Sequence, residues 1–332
     1  MSDAVLTVRD LQVTVRSGGL DLEVVSDVGF ELRPRQTLGL VGESGSGKSM
    51  TAYALMGLLP RNARVTRGQV RLGDVDLLTL NRAQLSDVRG SEIGMIYQEA
   101  RRSLNPAFTV GDQIAEVVRR HRGVSRAAAN KRAAELLSMV HIPRAVERLR
   151  DYPHEFSGGM CQRVMLAVAL ACEPKVLIAD EPTTALDVTV QASVLGLLHE
   201  LQEELGMAML LITHDLGVVA DICDDVAVMY AGRVVERSPV DELFLRPSHP
   251  YTEGLLRAIP NILAPTERFA SIPGNVPALD RMPSGCRFHP RCPYAQPRCS
   301  TELPPVVRAD AAHGSACLRV EELELRGVAV DV

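Results

Sequence analysis

Eight consecutive residues, Gly42-Glu43-Ser44-Gly45-Ser46-Gly47-Lys48-Ser49, have the types and spacing to hold a phosphate. Glycines let the chain turn so tightly that successive N–H groups aim at one anion, and a helix N-terminus behind the turn adds positive potential. Lys48 can set a charge on the outer phosphates of a nucleotide, and the Ser49 hydroxyl can ligate Mg²⁺. A second segment, Val176-Leu177-Ile178-Ala179-Asp180-Glu181, is an apolar run ending in two acids. Asp180 can hold Mg²⁺ opposite Ser49, and Glu181 can polarise an attacking water as general base. Gln98 ends another short apolar run and can reach both metal and water, while His214 in Thr213-His214-Asp215 can donate to a γ-phosphate. Standing alone, these three features read as a solvated acidic turn, a surface glutamine and a structural histidine. The phosphate loop upstream is what gives them weight.

The elements that must carry these residues are legible in outline. The loop follows the apolar run 38–41 and precedes a helix-like stretch at 50–59, the strand–loop–helix context the pattern requires. Residues 6–15 and 24–32 alternate apolar and polar around the turn Ser17-Gly18-Gly19, which predicts a hairpin. A further hairpin is expected at 68–78 and a short strand at 93–98. From about 103 to 149 the period becomes helical, so an α-rich insertion interrupts an α/β layout. Residues 176–179 and 209–212 read as buried parallel strands joined by a helix at 190–205.

Composition narrows the function. At 332 residues with 46% apolar content, the chain suits one large domain or two smaller ones. A net charge of −5 argues against nucleic acid as the main partner, and the absence of Trp leaves little for stacking bases. No secretory signal is visible at Met1-Ser2-Asp3-Ala4-Val5. The longest apolar run, 164–172, has nine residues, too few to span a membrane.

Past residue 260 the character changes: nine prolines fall between Pro265 and Pro305. Four of the seven cysteines, Cys286, Cys292, Cys299 and Cys317, lie in this tail, a clustering that suggests a local metal site rather than a secreted disulfide framework. Four thiolates can hold a [4Fe–4S] cluster or tetrahedral zinc, and their spacing alone does not choose. Either would act as a staple for a segment that lacks a core of its own.

The order GESGSGKS, Gln98, Phe156-Ser157-Gly158-Gly159-Met160, VLIADEP, Ala185-Leu186-Asp187 and Thr213-His214-Asp215 resembles the ATP-binding subunit of ABC transporters. The resemblance implies an ABC ATPase of α/β fold over 1–260, with a helical subdomain at about 99–155 and a metal-stapled, loop-rich extension over 261–332. It implies ATP and Mg²⁺ as ligands, with Gln98, Glu181 and His214 as the catalytic set. Ser157, Gly158, Gly159 and Asp187 would face ATP held by a second ATPase subunit in a head-to-tail dimer. Tyr152-Pro153-His154-Glu155 before the signature, DEPTTALDVTVQA, His249-Pro250-Tyr251-Thr252 and the cysteine tail are similar to the oligopeptide and dipeptide importers, whose relatives include nickel and glutathione importers. That branch favours the iron–sulfur cluster over zinc, and implies a different paralogous ATPase as partner. It also implies two membrane permease subunits, an extracytoplasmic solute-binding protein, and a place on the cytoplasmic face of the membrane. ATP binding is expected to be independent of the tail. Other readings are a soluble ABC ATPase of DNA repair or translation and an ATP-switched iron–sulfur regulator. Neither coiled-coil arms nor a second ATPase unit is visible for the former, and intact Glu181 and His214 oppose the latter. One departure from the family pattern is Val15, where an adenine-stacking aromatic is usual.

Overall fold

The computed structural model describes residues 4–184, 186–259, 271–308 and 312–328. Two sheets form among them. Strands β1 (Leu6–Ser17), β2 (Leu20–Leu32), β4 (Ala63–Leu72) and β5 (Val75–Asp76) make an antiparallel sheet in the order β2-β1-β4-β5. The second sheet takes β3 (Thr37–Val41), β6 (Ile93–Ile96), β7 (Val176–Asp180), β8 (Ala208–Thr213), β9 (Asp225–Tyr230), β10 (Arg233–Pro239) and β11 (Gly314–Ser315). Its order is β11-β10-β9-β3-β8-β7-β6, with β9, β3, β8, β7 and β6 parallel and the last two strands at the β11 end antiparallel.

Every residue of β3, β7 and β8 is buried, as a parallel sheet covered on both faces demands. Their side chains alternate between two cores with the period of two that a strand imposes. Leu177, Ala179, Met209 and Leu211 join one core with the helical insertion and the helices Gly158–Ala169 and Val188–Leu205. Val176, Ile178, Leu210 and Ile212 join the other with β1, β2 and the helix Lys48–Leu55.

The hairpin expected at 6–32 is present and longer than the alternation suggested. The second begins earlier than expected, because β4 starts at Ala63 and pairs with β1 along most of its length. The insertion comprises Ala100–Ser103, Val110–Arg122, Arg126–Met139 and Ala145–Arg148. Strands β9 and β10 were not foreseen; both are buried nearly throughout, and so give no clean alternation.

The tail has the loop-rich character its prolines suggest, with three short 3₁₀ turns and the two-residue β11 among its described residues. The expected boundary at 260 falls outside the described residues, as do Ala185 and Pro265. The tail packs onto the ATPase unit rather than standing apart from it. β11 pairs with β10 inside the main sheet, and Phe288 is buried in the core against Tyr230 and Tyr251. Among the described residues no helix is long and apolar enough to cross a membrane.

Candidate nucleotide site and tail cysteines

Adjacent parallel strands β3, β8, β7 and β6 deliver the chemistry to one rim, because each functional residue lies at or just past its strand's carboxyl end. β3 ends at Val41 and runs into the phosphate loop, β7 ends at Asp180 before Glu181, β8 at Thr213 before His214, and β6 two residues before Gln98. Val41, Gly42, Glu43, Ser44, Gln98, Glu181 and His214 share the lining of a cavity of about 430 Å³.

The loop's first glycine is obligatory on contact grounds. A Cβ at Gly42 would lie 2.1 Å from the Met229 carbonyl oxygen of β9, so no side chain fits. Lys48 opens the helix Lys48–Leu55, and its buried ammonium donates to the main-chain oxygens of Gly42 (2.7 Å) and Glu43 (3.1 Å). Burial lowers the Lys48 pKa, opposed by the charges of Glu181, Asp180 and Glu43.

Ser49 Oγ donates to Asp180 Oδ1 at 3.1 Å. The other oxygen, Asp180 Oδ2, is buried and has no hydrogen-bond partner. A buried orphan carboxylate oxygen is costly unless a cation or donor satisfies it, so the pair fits the Mg²⁺ that accompanies a nucleotide. Burial raises the Asp180 pKa, with Glu181's charge adding to it against the Ser49 hydrogen bond and the Lys48 charge.

Glu181 is the hub. Gln98 Nε2 donates to its Oε2 at 2.8 Å, Thr184 Oγ1 donates to the same oxygen at 2.8 Å, and His214 Nδ1 lies 3.3 Å from Oε1. Burial pushes the Glu181 pKa up, but hydrogen bonds from Thr184 and His214 and the charges of His214 and Lys48 win, holding it below the usual carboxylate range. It is therefore ionised at neutral pH, the form a general base needs. Its backbone sits at φ +47°, a left-handed conformation uncommon for a residue with a side chain. Gln98 and His214 thus both meet Glu181, one on each carboxylate oxygen. Thr184 was missed by sequence reasoning; its place three residues after Glu181 carried no signal.

Ser157 caps the helix Gly158–Ala169, its hydroxyl accepting from the Met160 N–H at 3.3 Å. A Cβ at Gly159 would lie 2.7 Å from Val190 Cγ1, so any side chain there displaces Val190. Asp187 caps Val188–Leu205 through the Val190 N–H at 2.9 Å. This cluster forms its own exposed edge rather than a wall of the cavity. Val15 is half-buried and Val25 fully buried, so of the two only Val15 has surface to offer an adenine.

All seven cysteines are free thiols. Cys286, Cys292, Cys299 and Cys317, separated by up to 31 positions in sequence (317 − 286), line one small cavity with His249, Phe288 and Tyr294. The expected metal staple is not seen as such: among the described residues no group of three or more His, Cys, Asp or Glu is placed to hold a metal ion. The cavity offers about 20 Å³, roughly room for one water. Burial raises the pKa of Cys286 and Cys317 and pushes Cys292 up to about 11. His289 Nδ1 donates to the Cys286 carbonyl at 2.9 Å, and His313 pairs with the buried Glu236.

Comparison with known proteins agrees with this geometry. The ABC transporter family matches residues 25–184, and the family described as oligopeptide/dipeptide transporter, C-terminal region, matches 235–299. A dimeric ATP-binding cassette solved in a post-hydrolysis state with ADP and Pi is 26% identical, with a TM-score of 0.64, covering 71% of this chain and 98% of that one. The chain belongs to the ABC ATPases. Within them its similarity lies with peptide importers. It is 50% identical to the oligopeptide transport ATP-binding protein OppD of Escherichia coli over 97% of this chain and 95% of the relative. It is 47% identical to a putative peptide import ATP-binding protein of Brucella melitensis, over 96% of this chain and 98% of the relative.

Proposed function

We propose that this chain is the ATP-hydrolysing subunit of a peptide importer. The observation that carries the reading is the contact set Gln98–Glu181–His214 beside Lys48, Ser49 and the orphaned Asp180 oxygen. In that arrangement residues 42–49 cradle the ATP phosphates, Ser49, Asp180 and Gln98 would hold the Mg²⁺, and Glu181 takes the proton of the attacking water. His214 faces the γ-phosphate. Positioning and charge stabilisation account for the catalysis, and no covalent intermediate is needed.

The organisation that accompanies it is an ATPase unit over 1–260 with the helical subdomain at about 99–155, and an extension over 261–332. Its partners are a second, paralogous ATPase chain, two permease subunits and, through them, a solute-binding protein. The site of action is the cytoplasmic face of the membrane. Phe108, Val146 and Tyr152 of the insertion are exposed, apolar surface suited to a permease contact.

Ser157, Gly158, Gly159 and Asp187 act on the partner's nucleotide. A dimer joining a Ser157→Arg subunit to a Lys48→Ala subunit then has one site with both lesions and one with neither. About half the sites should keep turning over, each lesion being placed on the appropriate chain if the natural dimer pairs different subunits. Complete loss in a verified mixed dimer with uncoupled sites counts against the trans arrangement.

Cys286, Cys292, Cys299 and Cys317 are the donors for a [4Fe–4S] cluster, with zinc as the rival. The cluster's contribution is structural. Anaerobically purified protein should be brown and carry about four irons per chain; colourless protein with one zinc supports the rival. A metal-free tail as protease-resistant as the loaded one overturns the structural role.

A further inference from the structure

Arg291 stands one residue before Cys292, in the tail, yet its side chain is only 5% exposed and reaches the phosphate loop. Its guanidinium grips the Glu43 carboxylate with both arms, Nη1 to Oε2 at 2.6 Å and Nη2 to Oε1 at 3.0 Å. The remaining donors are anchored too. Nε donates to the Pro273 carbonyl at 2.8 Å and Nη2 to the Ile272 carbonyl at 3.3 Å, and the group lies 5.7 Å from the Tyr230 ring centre. Such a fork is fixed in direction as well as distance.

Glu43 is the second residue of the phosphate loop, and its main chain is held as well as its carboxylate. Its N–H donates to Tyr251 Oη at 2.9 Å, and its carbonyl accepts from Lys48 Nζ at 3.1 Å. Tyr251 and Tyr230 pack on Phe288, three residues before Arg291, with ring centres 5.3 and 5.2 Å away. A continuous path of contacts therefore runs from the cysteine segment through Arg291 and Glu43 to the lysine that faces the phosphates.

We propose that Arg291 is a positioning residue for ATP binding: by clamping Glu43 it holds the phosphate loop in its receptive shape and neutralises a carboxylate that would otherwise repel the nucleotide. This rests on the reading of residues 42–49 as the ATP site. The clamp acts on the loop before and during reaction alike, so its loss raises KM and leaves kcat nearly unchanged. It also predicts a reversal that a merely structural arginine would not give. With Arg291 gone, the Glu43 charge is the harmful element, so removing that charge should help.

The test uses the full-length protein, with equilibrium ATP binding, kcat and KM, and thermal unfolding measured on each variant. Arg291→Ala is expected to weaken ATP binding about tenfold, the scale of one charge-assisted hydrogen bond, and Arg291→Lys by less. Glu43→Gln added to Arg291→Ala should recover much of the lost affinity. Affinity within twofold of the unmodified protein in Arg291→Ala, or no recovery in the double variant, overturns the proposal. If Arg291→Ala does not fold, Arg291→Lys with and without Glu43→Gln decides by the same criteria. Lys48→Ala separates the two failures: normal ATP binding there refutes the ATP-site reading itself, whereas lost binding there with unaffected Arg291 variants refutes only the clamp.

Discussion

Glu181→Gln should bind ATP as the unmodified protein does and turn it over about 10²-fold or more slowly, the scale of general acid–base catalysis. Glutamine keeps the shape and the ability to accept from Thr184 and Gln98 on its carbonyl oxygen, so the local network survives. What it lacks is the charge that takes a proton from water. That charge is secured by hydrogen bonds and by Lys48 and His214 against the effect of burial, an arrangement with no evident structural purpose at the end of β7. Since the Glu181 side chain holds no phosphate contact in this assignment, binding and turnover should separate. Equilibrium ATP binding and steady-state hydrolysis measured side by side decide it, and near-normal hydrolysis removes Glu181 from the role of base.

Lys48→Ala has the opposite profile, because binding and turnover should fall together. The ammonium is buried inside the loop and hydrogen-bonded to the Gly42 and Glu43 carbonyls, a position that a nucleotide's outer phosphates would share. One hydrogen bond to a charged group is worth up to about 3 kcal/mol, or roughly 10²-fold in affinity. The same contact persists as charge moves during phosphoryl transfer, so hydrolysis suffers at saturating ATP as well. Binding indistinguishable from the unmodified protein contradicts the assignment. The pair of variants is informative jointly: one isolates chemistry and the other does not.

The parts of this site that sequence made legible share a cause. Glycine spacing, an apolar run ending in acids, and a histidine just past a buried strand are local patterns, and local patterns survive reading one residue at a time. β3, β7 and β8 could be placed because complete burial leaves unbroken apolar runs. β9 and β10 have the same burial but are interrupted in sequence by the tight turn at Ala231-Gly232 and carry Glu236 and Arg237, whose partners lie elsewhere in the fold. The Glu43–Arg291 pair spans 248 positions, and nothing near either residue announces the other. Clustering in sequence suggests a metal site for the four tail cysteines, and the change in composition suggests a tail apart from the ATPase unit. The four thiols line one cavity, yet no metal-holding group forms among the described residues. The tail also joins the ATPase core, because proline-rich chain without regular structure can still be packed there through single residues such as Phe288.

Strand β11 has a bearing on solubility that is separate from catalysis. It is only two residues long, yet it lies along β10 at the margin of the seven-stranded sheet, with Glu236 opposite Ser315 and Arg237 opposite Gly314. An uncovered margin of this kind offers a row of main-chain donors and acceptors to any other chain that can lie beside it. A chain shortened before Gly314 would bare that row, and its first symptom would be self-association into aggregates rather than a catalytic defect.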